Sequence, residues 1–148
     1  MSCVTMIKEI KSIHPKDVAL IKLGSFYRVY GKDAYLVSNI FEYKIKEENK
    51  IPFCGFPIKS INRVKATLEN KKINYMIIDS RDNYDINEKE DFKNLNNYDK
   101  EFLKSKKYVE NKIKIENIYE YMNANSKKEE IKIILKEFEE IIYANGKI

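Results

Sequence analysis

Apolar positions recur at spacings of three near the start of the chain, where Val4, Ile7, Ile10 and Ile13 predict one face of a short helix over residues 3–13. His14-Pro15 closes it, because the residue before a proline disfavours the helical region. His14 is thereby expected to be a boundary residue, not a ligand. Residues 18–23 form an apolar run interrupted only by Lys22, and residues 26–30 follow after Gly24-Ser25, so two paired strands are predicted. Helical spacing returns with Ala34, Val37, Ile40 and Phe41, and Asp33 is the expected N-cap. Residues 42–46 alternate charged and apolar side chains, as a half-exposed strand does, and residues 47–50 predict a solvated turn. Residues 51–57 are apolar but crossed by Pro52, Gly55 and Pro57, which predicts an edge strand or a shaped loop. Ser60 is placed to cap a helix with Ile61, Val64, Ala66 and Leu68 toward the core. Residues 74–80, with Tyr75, Met76, Ile77 and Ile78 in a row, predict a buried strand.

This order of elements implies an α/β domain over residues 1–81, with helices flanking a mixed β-sheet. Residues 82–98 are polar and rich in Asn and Asp, and predict a linker or loop. Residues 99–148 predict a C-terminal helical hairpin. Its first helix carries Phe102, Val109, Ile113, Ile118 and Met122, and Asn123-Ala124-Asn125 breaks it. Ser126-Lys127-Lys128-Glu129 has capping-box spacing, and opens a second helix with Ile131, Ile134, Leu135, Phe138, Ile141 and Ile142 as its apolar stripe, stopped by Gly146. Two helices in tandem predict an antiparallel pair.

Charge adds a location to this outline. The net charge of +5 and pI near 9.0 are compatible with nucleic acid. Residues 1–81 hold 15 Lys and Arg against 8 Asp and Glu, whereas residues 82–98 hold 2 against 5, so the excess lies on the α/β part. Two cysteines, Cys3 and Cys54, make neither a metal-spaced pair nor a disulfide framework. One histidine excludes a His-rich metal site. No charged-then-apolar leader and no long apolar run appear, so a soluble cytoplasmic protein without membrane association is expected.

The stretch from Gly24 to Ala34 carries a family resemblance. Gly24, Phe26, Tyr27, Tyr30, Asp33 and Ala34 match a strand followed by Gly-Asp-Phe-Tyr-Glu-[Leu/Met]-[Phe/Tyr]-x-x-Asp-Ala. A second block, Ile51-Pro52-Phe53-Cys54-Gly55-Phe56-Pro57-Ile58-Lys59-Ser60, matches Ile-Pro-[Met/Phe]-[Cys/Ala]-Gly-[Val/Ile]-Pro-x-x-[Ser/Ala]. In this order and spacing the two blocks resemble the N-terminal mismatch-recognition domain of the MutS DNA repair proteins, over about residues 1–81. The resemblance implies a mixed α/β fold. It also implies that Phe26 wedges beside a mispaired base from the minor groove. Arg28 stands where the family has a Glu that hydrogen-bonds to that base. A guanidinium only donates hydrogen bonds and attracts phosphates, so this position departs in chemistry.

The resulting expectation is a non-enzymatic module that binds double-stranded DNA at mispaired or distorted sites. Phe26 would lie against bases; Arg28, Lys22 and Lys32 would approach the backbone, and Lys59 and Arg63 would flank them. No catalytic residue, metal or cofactor is assigned. Gly-x-x-x-x-Gly-Lys-[Ser/Thr], the phosphate loop that a repair ATPase needs, is absent from the sequence. A second expectation is a protein-interaction module, docking on a protein partner or self-associating through the C-terminal helices. A third is a Mg²⁺-dependent nuclease on Asp33, Glu42 and Lys44, a short pattern that a solvated strand face explains better.

Overall fold

The computed structural model describes residues 3–125 and 129–145. The chain divides into two compact units, Met1–Lys106 and Lys107–Ile148.

The first unit is a six-stranded mixed sheet with helices on both faces. Its elements are α1 (Cys3–Ile13), β1 (Val18–Leu23), β2 (Phe26–Tyr30), α2 (Lys32–Phe41), β3 (Lys46–Glu48), β4 (Ile51–Pro57), α3 (Ile61–Asn70), β5 (Tyr75–Asp79) and β6 (Ile86–Glu90), followed by the start of α4 (Tyr98–Ala124). The strand order is β3-β4-β2-β1-β5-β6. Only β1 and β5 run parallel; the other neighbours are antiparallel.

Two tight hairpins set the register. Leu23 pairs with Phe26, so Gly24 and Ser25 alone make the turn. Gly24 has φ +64° and Ser25 stays negative, the II′ pattern that suits strand twist. Glu48 pairs with Ile51, and Asn49 and Lys50 both have positive φ, the I′ pattern.

Alternation along these strands divides the core in two. Val18, Leu20, Tyr27, Val29, Cys54, Phe56 and Tyr75 face α2 and α3, which contribute Leu36, Val37, Val64 and Leu68. Ala19, Ile21, Tyr30, Met76 and Ile78 face the other way, and α1 covers them with Ile7 and Ile10.

Several expectations are corrected. Asp33 is not the N-cap of α2. Gly31 holds that place, and Asp33 is buried inside the first turn, where its carboxylate is taken up by Lys11, the Ala19 amide and Tyr98. Ser60 does occupy the N-cap of α3, but after a 3-10 turn and without a side-chain bond. Ala66 is exposed. β4 is not at an edge, because the three-residue β3 extends the sheet beyond it. Residues 86–90, inside the segment expected to be a linker, form β6 against β5. Their alternation was masked because all five residues are exposed on a charged edge strand, where Lys and Glu blunt further pairing.

The second unit continues α4 to Ala124 and contains α5 (Glu129–Asn145). The Tyr119 hydroxyl donates to Glu139 Oε1 at 3.2 Å, linking the two helices. Ser126, Lys127 and Lys128 of the expected capping box and the stop at Gly146 lie outside the described residues. No helix among the described residues is long and apolar enough to cross a membrane.

Candidate functional site

The Gly24-Ser25 turn lifts Phe26 to the tip of β2, where it stays 52% exposed. Its neighbour Tyr27 points the opposite way into the core, stacked on Phe56 at 5.5 Å. Period-two alternation then puts Phe26, Arg28 and Tyr30 on one face. Register adds Leu23 of β1, Phe53 and Gly55 of β4, and Lys46 and Glu48 of β3 to that face. α1 covers the end near Tyr30. The end near Phe26 holds a cavity of about 660 Å³ lined by Leu23, Phe26, Arg28, Lys44, Lys46 and Phe53, with Tyr43 and Gly55.

Arg28 is held within this face by three contacts. Its guanidinium is 4.6 Å from the centre of the Phe53 ring, and Nη1 donates to Glu48 Oε2 at 2.9 Å and to the Tyr30 hydroxyl at 3.5 Å. The hydrogen bond with Tyr30, ahead of the carboxylate of Glu48, raises its already high pKa. Gly55 stands opposite Arg28. A Cβ there would come within 3.1 Å of the Tyr27 carbonyl oxygen, so a larger residue would have to push β4 and β2 apart by a few tenths of an ångström.

The other expected contact residues are dispersed. Lys22 pairs with Tyr27 and therefore lies on the opposite face from Phe26 and Arg28. Lys32 opens α2 beyond the far end of β2, with its Nζ 5.2 Å from the centre of the Phe102 ring. Lys59 is exposed in the 3-10 turn that follows Pro57, the partner of Phe26, so it stays near the tip. Arg63 is exposed on α3 but engaged: Nη2 donates to the Tyr43 hydroxyl at 2.6 Å, beside a ladder of stacked rings formed by Phe41, Tyr43 and Phe56.

Lys46 was not singled out by the sequence, and Lys44 only within the nuclease pattern; the fold brings both to the cavity beside Phe26. The I′ turn at Asn49-Lys50 was the available signal, because it fixes Lys46 opposite Phe53.

The arrangement does not support metal-assisted hydrolysis at Asp33. Lys11 Nζ and the Ala19 amide each approach its carboxylate at 3.0 Å, and Tyr98 adds its hydroxyl. Burial pushes the Asp33 carboxyl upward, and Lys11 with the other donors pulls it back. Glu42 is the left-handed C-cap of α2. No cluster of metal-ligating side chains exists among the described residues. Cys54 is equally withdrawn: burial, with the nearby Asp33 charge, pushes its thiol up to about 12.

Comparison with known proteins adds to this geometry. The profile of the family described as MutS domain I matches residues 3–132. The DNA mismatch repair protein MutS of Myxococcus xanthus is 29% identical over 73 residues, which is 47% of this chain and 8% of that protein. The protein of the same name from Staphylococcus haemolyticus is 36% identical over 67 residues, or 42% of this chain and 8% of its own length. That of Treponema pallidum is 35% identical over 49 residues, 33% of this chain and 5% of its own. The matched part of the chain thus spans less than a tenth of these relatives.

Proposed function

The chain belongs to the MutS domain I family, and from that premise we propose that it is a DNA-binding module of the mismatch-recognition type. It engages duplex DNA at mispaired or distorted positions, with no catalytic step of its own. The observation that carries the reading is the half-exposed Phe26 ring at a hairpin tip, beside a cavity that also holds Arg28, Lys44 and Lys46. An apolar ring at such a position inserts between base pairs where unstacking is cheap, as at a mismatch. The lysines supply the phosphate contacts that dominate affinity. Lys59 flanks the same tip, whereas Lys22 and Lys32 contribute only to the surrounding field.

The test is fluorescence anisotropy with the full chain at two salt concentrations, on matched duplex, mismatched duplex and single-stranded DNA. Salt-sensitive binding that is tightest on the mismatched duplex is expected. No binding to any of the three overturns the proposal.

One feature of the second unit favours a further role. Ile113, Ile118, Tyr121, Ile133 and Ile134 of α4 and α5 are each more than a third exposed. Such a density of large apolar side chains supports docking on a protein partner or self-association through these helices. Light scattering across a concentration series tests self-association.

A further inference from the structure

Arg28 uses only one corner of its guanidinium. Nη1 makes both of its bonds, to Glu48 and Tyr30, and no bond from Nε or Nη2 exists among the described residues. The Nε–Nη2 edge is the side of the fork that grips two acceptors at once. The Phe53 ring packs against the guanidinium at 4.6 Å, and Gly55, with no side chain, stands opposite Arg28 across the strand pair.

Two acceptor pairs fit such a fork: phosphate oxygens, and O6 with N7 of guanine. The surroundings separate them. The Glu48 carboxylate already sits on this guanidinium at 2.9 Å, so a phosphate would bring a second negative charge beside it, whereas a base edge is neutral. The walls next to Arg28 are the rings of Phe26 and Phe53 and the side chain of Leu23, flat apolar surface on which a base can stack. Lys44 and Lys46 line the same cavity and supply positive charge for the backbone. A volume of about 660 Å³ is within the range of sites that enclose a small organic group, about 300–1,000 Å³.

We infer that this cavity takes an unstacked guanine, with the ring on the aromatic wall, O6 and N7 on the free edge of Arg28, and the flanking phosphates on Lys44 and Lys46. This rests on the DNA-binding reading and adds to it the identity of the base. Arg28 is then the residue that sets base preference, while Phe26 and the lysines set affinity.

The experiment measures binding of the full chain to one duplex carrying a single extra nucleotide, G, A, C or T, at fixed salt, with the matched duplex as reference. Extra guanine is expected to bind about tenfold tighter than the other three. Replacing that guanine by 7-deazaguanine, which lacks the N7 acceptor, removes the preference without altering the protein. R28K keeps the charge and loses the fork, so it binds all four bulges alike. Equal affinity of the unaltered chain for the four bases overturns the inference and leaves DNA binding standing. Equal affinity for guanine and 7-deazaguanine also overturns it. No binding to any duplex removes the DNA-binding reading itself.

Discussion

The carboxylate of Glu48 on β3 lies 2.9 Å from the guanidinium of Arg28 on β2, with β4 between their strands. The pair is partly exposed, with the two side chains 37% and 48% accessible, so it contributes at most about 1 kcal/mol to folding. Its consequence is electrostatic: the carboxylate offsets part of the positive charge that Arg28 presents at the cavity. Glu48→Gln is expected to leave thermal stability nearly unchanged and to tighten binding to all duplexes severalfold at low salt. The dependence of log affinity on log salt should steepen by roughly one counterion. A titration series in salt reads both. Unchanged affinity and slope would show that Arg28 does not face the DNA.

Phe26→Ala removes a ring that is already half in solvent, so its folding cost is expected to stay within about 1 kcal/mol. Loss of binding should be larger on a mismatched duplex than on a matched one, because only inserted apolar surface is removed. Competition anisotropy with the two duplexes measures this. Equal losses would reduce Phe26 to a surface aromatic.

Lysines on the two faces should respond differently. Lys44→Glu and Lys46→Glu change the cavity that contains Phe26 and Arg28, and each is expected to weaken binding about tenfold or more at low salt. Lys22→Glu lies across the sheet, and Lys32→Glu lies at the other end of β2. These two are expected to lose less than threefold, through the general field alone. A reversed ranking would move the interface to the α2–α3 face.

Cys54 donates to the Ala34 carbonyl, is 1% exposed, and has its thiol pushed up to about 12. At pH 8 the thiolate, which is the reactive form, is then about one part in ten thousand. A chain with Cys3→Ser is expected to resist thiol-specific labelling for hours when folded and to label at once in denaturant. Fast labelling of the folded chain would mean that the β2–β4 region opens readily.

Much of this fold was legible because strong local signals agreed with one another. Apolar runs at Val18–Leu23 and Tyr75–Ile78, helical spacing at Ala34–Phe41, and Gly24 between two strands all point to the same sheet. The failures share a cause. β6 buries no side chain, so nothing in residues 86–90 records that their backbone is paired. Asp33 looks like a cap by position, yet its partners Lys11, Ala19 and Tyr98 are 14 to 65 residues away in sequence. That Phe26 and Arg28 share one face of the candidate site was legible because both lie on one short strand with fixed alternation. The place of Lys46 beside them was not, since it depends on how β3 folds back onto β4.

The boundary of the first unit gives the last prediction. Tyr98, at the start of α4, is 2% exposed, packs in the core cluster with Leu36 and Val37, and donates its hydroxyl to the buried Asp33. Asn74, before β5, depends on the same segment: its Nδ2 donates to Asp91 at 3.1 Å, its Oδ1 accepts from the Phe92 amide at 2.7 Å, and its own amide donates to Asn96 at 3.0 Å. A chain ending at residue 81 loses every one of these partners and leaves the β5 edge bare. Each buried polar group stripped of its partner costs about 1–3 kcal/mol, which together approaches the whole stability of a small domain. A chain of residues 1–106 keeps them all. It is expected to unfold cooperatively on heating, whereas residues 1–81 should aggregate or show no cooperative transition. Within the full chain, Tyr98→Phe isolates one contribution, and a loss of about 1–3 kcal/mol in denaturant titration is expected. Cooperative folding of residues 1–81 would mean that β6 and Tyr98 are additions to a domain already complete.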